Sequence, residues 1–202
     1  MYPVSFAADY VEPRNRLTTF FRLILAIPHI IVLYLFAIAA WLGVVVAWFA
    51  ILFTAHYPPG LYNFVSRFVR YATQVMAYIT LLTDEYPQFV GSDDYPIRMT
   101  FAGPLPEYSR LKTFFRGILA IPLLVLRYVA GILIELGGLG AWFVIVITGK
   151  MPPGLQDVMV LASSFTARSD AYLFLLTETY PPFREDMAAV TTGTTAAPSV
   201  TS

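Results

Sequence analysis

Apolar positions in this chain fall in long unbroken runs. From Leu23 to Phe53 the only charged or imidazole side chain is His29. A membrane span needs roughly 20 apolar residues at about 1.5 Å each. That run is therefore too long for a core helix and long enough to cross a bilayer. The spanning helix is expected to start at Pro28 and end near Thr54, a length that permits tilt without fixing an angle. Ahead of it, Arg16 to Ile27 interleaves cations and threonines with Phe20, Phe21, Leu23 and Ile24, the pattern of a short interfacial helix. Proline disfavours helix at the preceding residue and suits a first turn, so Pro28 predicts an elbow.

Tyr57-Pro58-Pro59-Gly60 reads as a stop and a turn. Beyond it, apolar residues recur at helical spacing from Leu61 to Thr83, with Asn63, Arg67, Arg70 and Gln74 as a polar stripe. This helix could lie flat on the surface, or span with its stripe turned into a bundle; its length and the tight turn favour spanning. Tyr2 to Val11 and Tyr95 to Leu105 alternate as short strands do and could pair into a small cytoplasmic sheet.

The whole pattern occurs twice. Arg16-Leu-Thr-Thr-Phe-Phe-Arg22 returns as Arg110-Leu-Lys-Thr-Phe-Phe-Arg116, and Ile24-Leu-Ala-Ile-Pro28 as Ile118-Leu-Ala-Ile-Pro122. Pro58-Pro-Gly-Leu61 returns as Pro152-Pro-Gly-Leu155, and Tyr86-Pro-Gln-Phe89 as Tyr180-Pro-Pro-Phe183. All four matches share one offset of 94 residues, too regular for chance. The expected fold is an all-α integral membrane protein, a tandem repeat of two helical-hairpin units. It would have about four transmembrane helices plus interfacial elbow helices, and a possible small cytoplasmic β element. The repeats are expected over 1–92 and 93–186, and 187–202, poor in large apolar residues, as a disordered tail.

Two spans per unit give both copies the same orientation, with a pseudo-two-fold axis along the membrane normal. Arg14, Arg16, Arg22, Arg98, Arg110, Lys112, Arg116 and Arg184 would then share one side, leaving Lys150 on the other. Basic residues are retained on the cytoplasmic side, which predicts cytoplasmic termini in a multi-pass protein of the cell inner (plasma) membrane. Three spans per unit would invert the second copy, and would need a turn inside Leu35 to Val46.

Composition agrees: 57% of residues are hydrophobic and 13% charged, about half the charged share of a soluble domain. Zero net charge gives no electrostatic case for nucleic acid, and the absence of cysteine removes disulfide and thiolate chemistry. Met1 to Arg16 does not read as a cleavable signal, so the first apolar segment is expected to direct its own insertion.

Ionisable groups within spans are costly unless paired or wet. Here they are Arg67, Arg70, Arg127, Glu135, Asp157, Arg168 and Asp170. Matched depths predict an ion pair Arg70–Glu135 joining the copies and a pair Arg127–Asp170 within the second. Such pairs could fix helix register, line an ion or proton path, or meet a partner. Arg16, Arg22, Arg110 and Arg116 are candidate contacts to anionic lipid headgroups, each worth about 1 kcal/mol near such a surface, or generic anchors. His29 and His56 correspond to Leu123 and Lys150 in the other copy and have no ligand-spaced companions, so no metal or cofactor is expected. Asp93-Asp94 reads as a solvated turn. No Gly-x-Ser-x-Gly, Walker-type or Gly-x-Gly-x-x-Gly motif occurs, and no catalytic residue is assigned.

The string Phe-Phe-Arg-x-Ile-Leu-Ala-Ile-Pro, then Ala-Trp-Phe, Pro-Pro-Gly-Leu, Ala-Tyr and Leu-Leu-Thr before Tyr-Pro-x-Phe resembles an actinobacterial membrane-protein family, catalogued as domain of unknown function 4389. The resemblance covers Arg16 to Phe89 and Arg110 to Phe183. Members commonly carry Gly-Arg-Tyr-Pro at the turn, where this chain has Ala55-His56-Tyr57-Pro58 and Gly149-Lys150-Met151-Pro152. The resemblance implies a polytopic protein of a bacterial inner membrane and brings no activity. The expected function is that of a non-enzymatic accessory, assembly or regulatory subunit of a larger membrane complex. The alternative is a small oligomeric transporter, channel or lipid-handling protein. Expected partners are the lipid bilayer and either a larger complex or further copies of the chain.

Overall fold

Proline, glycine and small polar caps set the helix boundaries of this chain. The structure, a computed structural model, describes residues 2–10, 14–89 and 91–182; the expected tail and Arg184 lie outside them. In chain order the elements are β1 (Val4–Ala8), α1 (Arg16–Phe20), α2 (Arg22–Thr54), α3 (Pro59–Ile79), β2 (Ile97–Phe101), α4 (Arg110–Phe114), α5 (Arg116–Leu119), α6 (Ile121–Thr148) and α7 (Pro153–Leu173). Asn15 and Ser109 cap α1 and α4 through their side-chain oxygens, satisfying amides that a helix start leaves orphaned. Pro59 and Pro153 open α3 and α7 at the one turn where a missing amide hydrogen is harmless. Ala55 and Gly149 end α2 and α6 in the left-handed conformation.

The elbow is not at Pro28. In the first copy the break falls at Phe21, and α2 runs unbroken through Pro28. In the second copy the chain breaks at Phe115 and again at Ala120, two residues before Pro122. The copies differ at one informative place: Gly117 stands where the first has Leu23. Glycine costs about 1 kcal/mol in a helix, which weakens the segment ahead of the second proline. No turn interrupts Leu35 to Val46, so the three-span alternative fails.

Among the described residues, α2 and α6 are the helices long and apolar enough to cross a membrane, and only 17% and 28% of their most apolar stretches is buried. Each buries one narrow stripe, Ala26-His29-Ala40-Gly43-Ala47-Ile51 in α2 and Leu123-Ala130-Ile134-Gly137-Ala141-Ile145 in α6. The matching glycines set the approach to α3 and α7. A Cβ on Gly43 would meet Leu61 Cδ1 at 3.0 Å, and one on Gly137 would meet Met159 Cγ at 2.8 Å. Helices α3 and α7 are buried around most of their circumference and pack on each other.

The two prefixes pair as β1 antiparallel to β2, with Val4 opposite Phe101 and Ala8 opposite Ile97. Val4, Phe6, Ile97 and Met99 face inward, while Ser5, Arg98 and Thr100 face out. Strand β1 packs on α7 and β2 on α3, so each prefix covers the other copy. The result is three layers: the sheet, the α3–α7 pair, and α2 with α6 outermost.

The two copies do not share one orientation. Tyr108 donates its amide to Ala55 O at 2.8 Å, joining the start of the second elbow to the end of α2. Arg14 donates its amide to Gly149 O at 3.1 Å, joining the start of the first elbow to the end of α6. Trp48 Nε1 on α2 bonds Thr113 O of α4 at 3.0 Å, and Phe20 of α1 lies against Trp142 of α6. Helices α2 and α6 therefore run in opposite senses, and the axis relating the copies lies across the helices. The cause is the linker. After α3 the chain returns along that helix as β2 and begins its second unit at the far end.

Candidate functional site

The second arginine of each Arg-Leu-x-Thr-Phe-Phe-Arg motif is buried, which corrects its expected place among lipid phosphates. Arg22 and Arg116 are 2% and 6% exposed. Arg22 Nη1 donates to Tyr78 O at 2.9 Å and to Thr83 O, while Nη2 bonds Asp84 Oδ1. Its guanidinium lies 4.4 Å from the centroid of the Tyr78 ring. Arg116 Nη1 donates to Tyr172 O at 3.1 Å and Thr177 O at 2.9 Å, and its guanidinium sits 4.1 Å from the Tyr172 centroid. Arg16 and Arg110, the first arginines of the motif, are exposed.

These clamps close the ends of α3 and α7, where helices leave carbonyls unpaired and a partial negative charge. Past each helix the chain makes the same left-handed turn, at Leu81 (φ 67) and Leu175 (φ 64). There Leu82 N reaches back to Ala77 O and Leu176 N to Ala171 O, both at 2.9 Å. A left-handed leucine costs roughly 1–2 kcal/mol. Burial of Leu81, Leu82, Leu175 and Leu176 to 2% exposure or less and the arginine clamp hold it. The acid after each turn caps the neighbouring elbow: Asp84 accepts from Asn15 N and Glu178 from Ser109 N, both at 2.7 Å. Only Asp84 also bonds its arginine directly. Burial draws the Arg116 guanidinium below the ordinary arginine value, opposed by Tyr172 and Glu178.

The signal for the clamps was in the repeat. Arginine to tyrosine spans 56 residues and arginine to threonine 61 in both copies. These residues all belong to the strings the two copies share.

The interior ionisable groups divide differently. Arg127 Nη2 lies 2.8 Å from Asp170 Oδ1, joining α6 to α7. Burial holds the Asp170 carboxyl above the usual carboxylate range, and Arg127 pulls the other way. The expected pair Arg70–Glu135 does not form. Arg70 turns to Asp93 in the linker, while Glu135 is exposed on α6 beside Thr73 and Thr80. Helical spacing puts Val69, Thr73, Met76 and Thr80 on the α6 side of α3 and turns Arg70 away. Gln74, read as part of an outer polar stripe, is buried; it donates to Ser92 O and Ile97 O and accepts from Ser92 N, fixing the start of β2. His29 is buried against Tyr71 OH at 2.8 Å and stacks on Phe89.

Two hollows remain. One of about 250 Å³ is apolar and lies between the Trp41–Trp48 segment of α2 and Arg116, Gly117 and Ala120. The other, about 390 Å³, lies between α3, α6 and α7 and carries Arg127, Glu135 and Asp170. No three His, Cys, Asp or Glu side chains among the described residues are placed to hold a metal.

A family model described as Domain of unknown function (DUF4389) matches residues 16–91 and again 110–184. No curated protein and no solved structure matches the chain. Each match begins at the first motif arginine and takes in the buried arginine, the Pro-Pro-Gly turn and the clamped helix end. The chain belongs to the DUF4389 family and carries two tandem copies of its unit.

Proposed function

We propose that this protein is a non-catalytic membrane component that binds a larger membrane complex and stabilises, assembles or regulates it. One observation carries the reading: the interior cations are spent on the chain's own structure. Arg22 and Arg116 hold helix-end carbonyls, Arg70 holds Asp93, and Arg127 holds Asp170. What the molecule offers outward is the bare apolar surface of α2 and α6 and a small polar sheet. Such a surface suits residence in the membrane and association there with other membrane proteins, because apolar faces of this size mark membrane or protein interaction sites.

The hollow beside Arg127, Glu135 and Asp170 favours the other reading, a small oligomeric transporter, channel or lipid-handling protein. In that case the embedded charges would line a path for solute or lipid. A mild-detergent pull-down of the tagged chain from its native membrane, followed by mass spectrometry, separates the two. Stoichiometric recovery of a membrane complex is the expected result. Recovery of the chain alone, or with lipid only, overturns the subunit reading.

A further inference from the structure

We infer that α2 and α6 lie within one leaflet, along the plane of the membrane, instead of crossing it. The surface this proposes is the outer face of α1, α2, α4, α5 and α6, and its partner is the acyl region and headgroups of a single leaflet. The inference rests on the membrane reading above and goes beyond it by fixing the side and depth of the chain.

The first argument is the sheet. Tyr2 at the start of β1 donates to Thr179 O, past the end of α7. Tyr10 beyond its end donates to Met151 O, past the end of α6. The strand pair thus runs the length of the molecule, from one end of the antiparallel helices to the other. If α2 and α6 crossed a bilayer, the sheet would cross beside them. It would take into hydrocarbon the two edges of the sheet, which no other strand pairs among the described residues, the Ser5–Thr100 hydroxyl pair and the Arg98–Asp9 ion pair. Open strand edges do not occur facing lipid, because nothing there satisfies their backbone groups.

The second argument is charge. The exposed cations Arg16 and Lys150 lie together, since the guanidinium of Arg16 approaches Gly149. Arg110 and Lys112 lie at the opposite end, where Tyr108 meets Ala55. A spanning arrangement puts these two basic ends on opposite sides, against the retention of cations on one side. With the helices in the plane, all four reach the headgroups of the same leaflet.

Length is the third. The 33 residues of α2 extend about 50 Å and the 28 of α6 about 42 Å. A hydrocarbon core is about 30 Å thick, so α2 would have to tilt by roughly 50°, beyond the range of about 0–40° seen for spanning helices. Lying flat, both helices are apolar over their length on the outward side. Most of the exposed large hydrophobic side chains, including Leu23, Tyr34, Leu35, Trp41 and Tyr128, sit on this layer. Arg127 and Glu135 are turned instead into the hollow shared with α3 and α7.

The natural chain has no cysteine, so single introduced cysteines report without background. Thr18→Cys, at a half-buried position, and Lys112→Cys and Thr100→Cys, at exposed ones, mark the two ends and the sheet. Full-length variants in native membranes are treated with a membrane-impermeant maleimide, once on right-side-out and once on inverted vesicles. All three labelling from the same face is the expected result. Labelling of Thr18→Cys and Lys112→Cys from opposite faces overturns the inference and leaves the membrane reading intact.

Depth provides the second measurement. A polarity-sensitive dye at Leu23→Cys, Leu35→Cys or Val46→Cys is quenched by nitroxide lipids labelled at shallow or deep positions. Equal shallow depths are expected for all three, within about 5–10 Å of the headgroup boundary. A dye at Leu35→Cys near the midplane with Leu23→Cys at the surface overturns the inference. Release of the chain from membranes by alkaline wash shows that protein covers the apolar face, and overturns both readings.

Discussion

Replacing Arg22 by alanine tests whether the motif arginine is a structural clamp or a lipid contact. The substitution removes two hydrogen bonds to carbonyls, the bond to Asp84 and the contact with the Tyr78 ring. Each charge-assisted bond is worth about 1.5–3 kcal/mol, and a partly desolvated cation–π contact about 0.5–2 kcal/mol. These contributions overlap, and the desolvation of a guanidinium with 2% of its surface exposed is recovered. Breaking one partner of a buried pair gives a direct guide of about 3–5 kcal/mol. In a chain of this length 1 kcal/mol moves Tm by about 2–4 °C, so Arg22→Ala should lower the unfolding midpoint by roughly 6–20 °C. The assay is thermal unfolding in lipid nanodiscs followed by far-ultraviolet circular dichroism. Arg16→Ala, on an exposed side chain, is the control and should move the midpoint by less than about 2 °C. Arg22→Lys keeps the charge without the planar fork and should fall between them. An Arg22→Ala midpoint within error of the Arg16→Ala value would refute the clamp.

In the same assay Arg116→Ala should cost less than Arg22→Ala, because no carboxylate bonds Arg116 directly. Gly137→Leu should destabilise by about 2 kcal/mol or more by forcing α6 off Met159, whereas Gly140→Leu, which opens onto free space, should stay within about 0.5 kcal/mol. Because burial raises the Asp170 carboxyl, the folded chain holds that proton more tightly than the unfolded one. The contribution of Asp170 to stability therefore falls as pH rises above the ordinary carboxylate range. Asp170→Asn should remove that slope from a plot of midpoint against pH, and an unchanged slope would count against the burial argument. Arg98→Ala should cost less than about 1 kcal/mol, and the difference should shrink with added salt, because its pair with Asp9 is about half exposed.

What could be read in advance was what local periodicity determines. The 94-residue repeat, the long apolar helices, the Pro-Pro-Gly turns and the paired prefixes all follow from residue spacing and turn chemistry. Direction did not follow. Both copies carry the same string of elements, so nothing within a unit shows that Asp84 to Tyr108 carries the chain from one end of the molecule to the other. The burial of Arg22 and Arg116 is not legible locally, because an arginine between aromatic and aliphatic residues looks alike at a headgroup and at a helix end. Only the distant carbonyls of Tyr78 and Tyr172 distinguish the two. Matched depth does not pair Arg70 with Glu135, because depth ignores which face of α3 the side chain takes.

The reciprocal joints between the copies also set the order in which the chain can be completed. Strand β1 is made first, yet it packs on α7, which is made last. The amide of Arg14 likewise waits for Gly149. At about 5–20 residues per second, the 135 residues between those partners take roughly 7–27 s to synthesise. For the first 65 residues after Trp48, roughly 3–13 s at the same rate, α2 has left the ribosome without the elbow that later covers that side chain. A nascent apolar helix so exposed needs a shelter, in lipid or in an insertion factor. Pausing synthesis after the first copy should leave a product that is captured by such a factor or degraded.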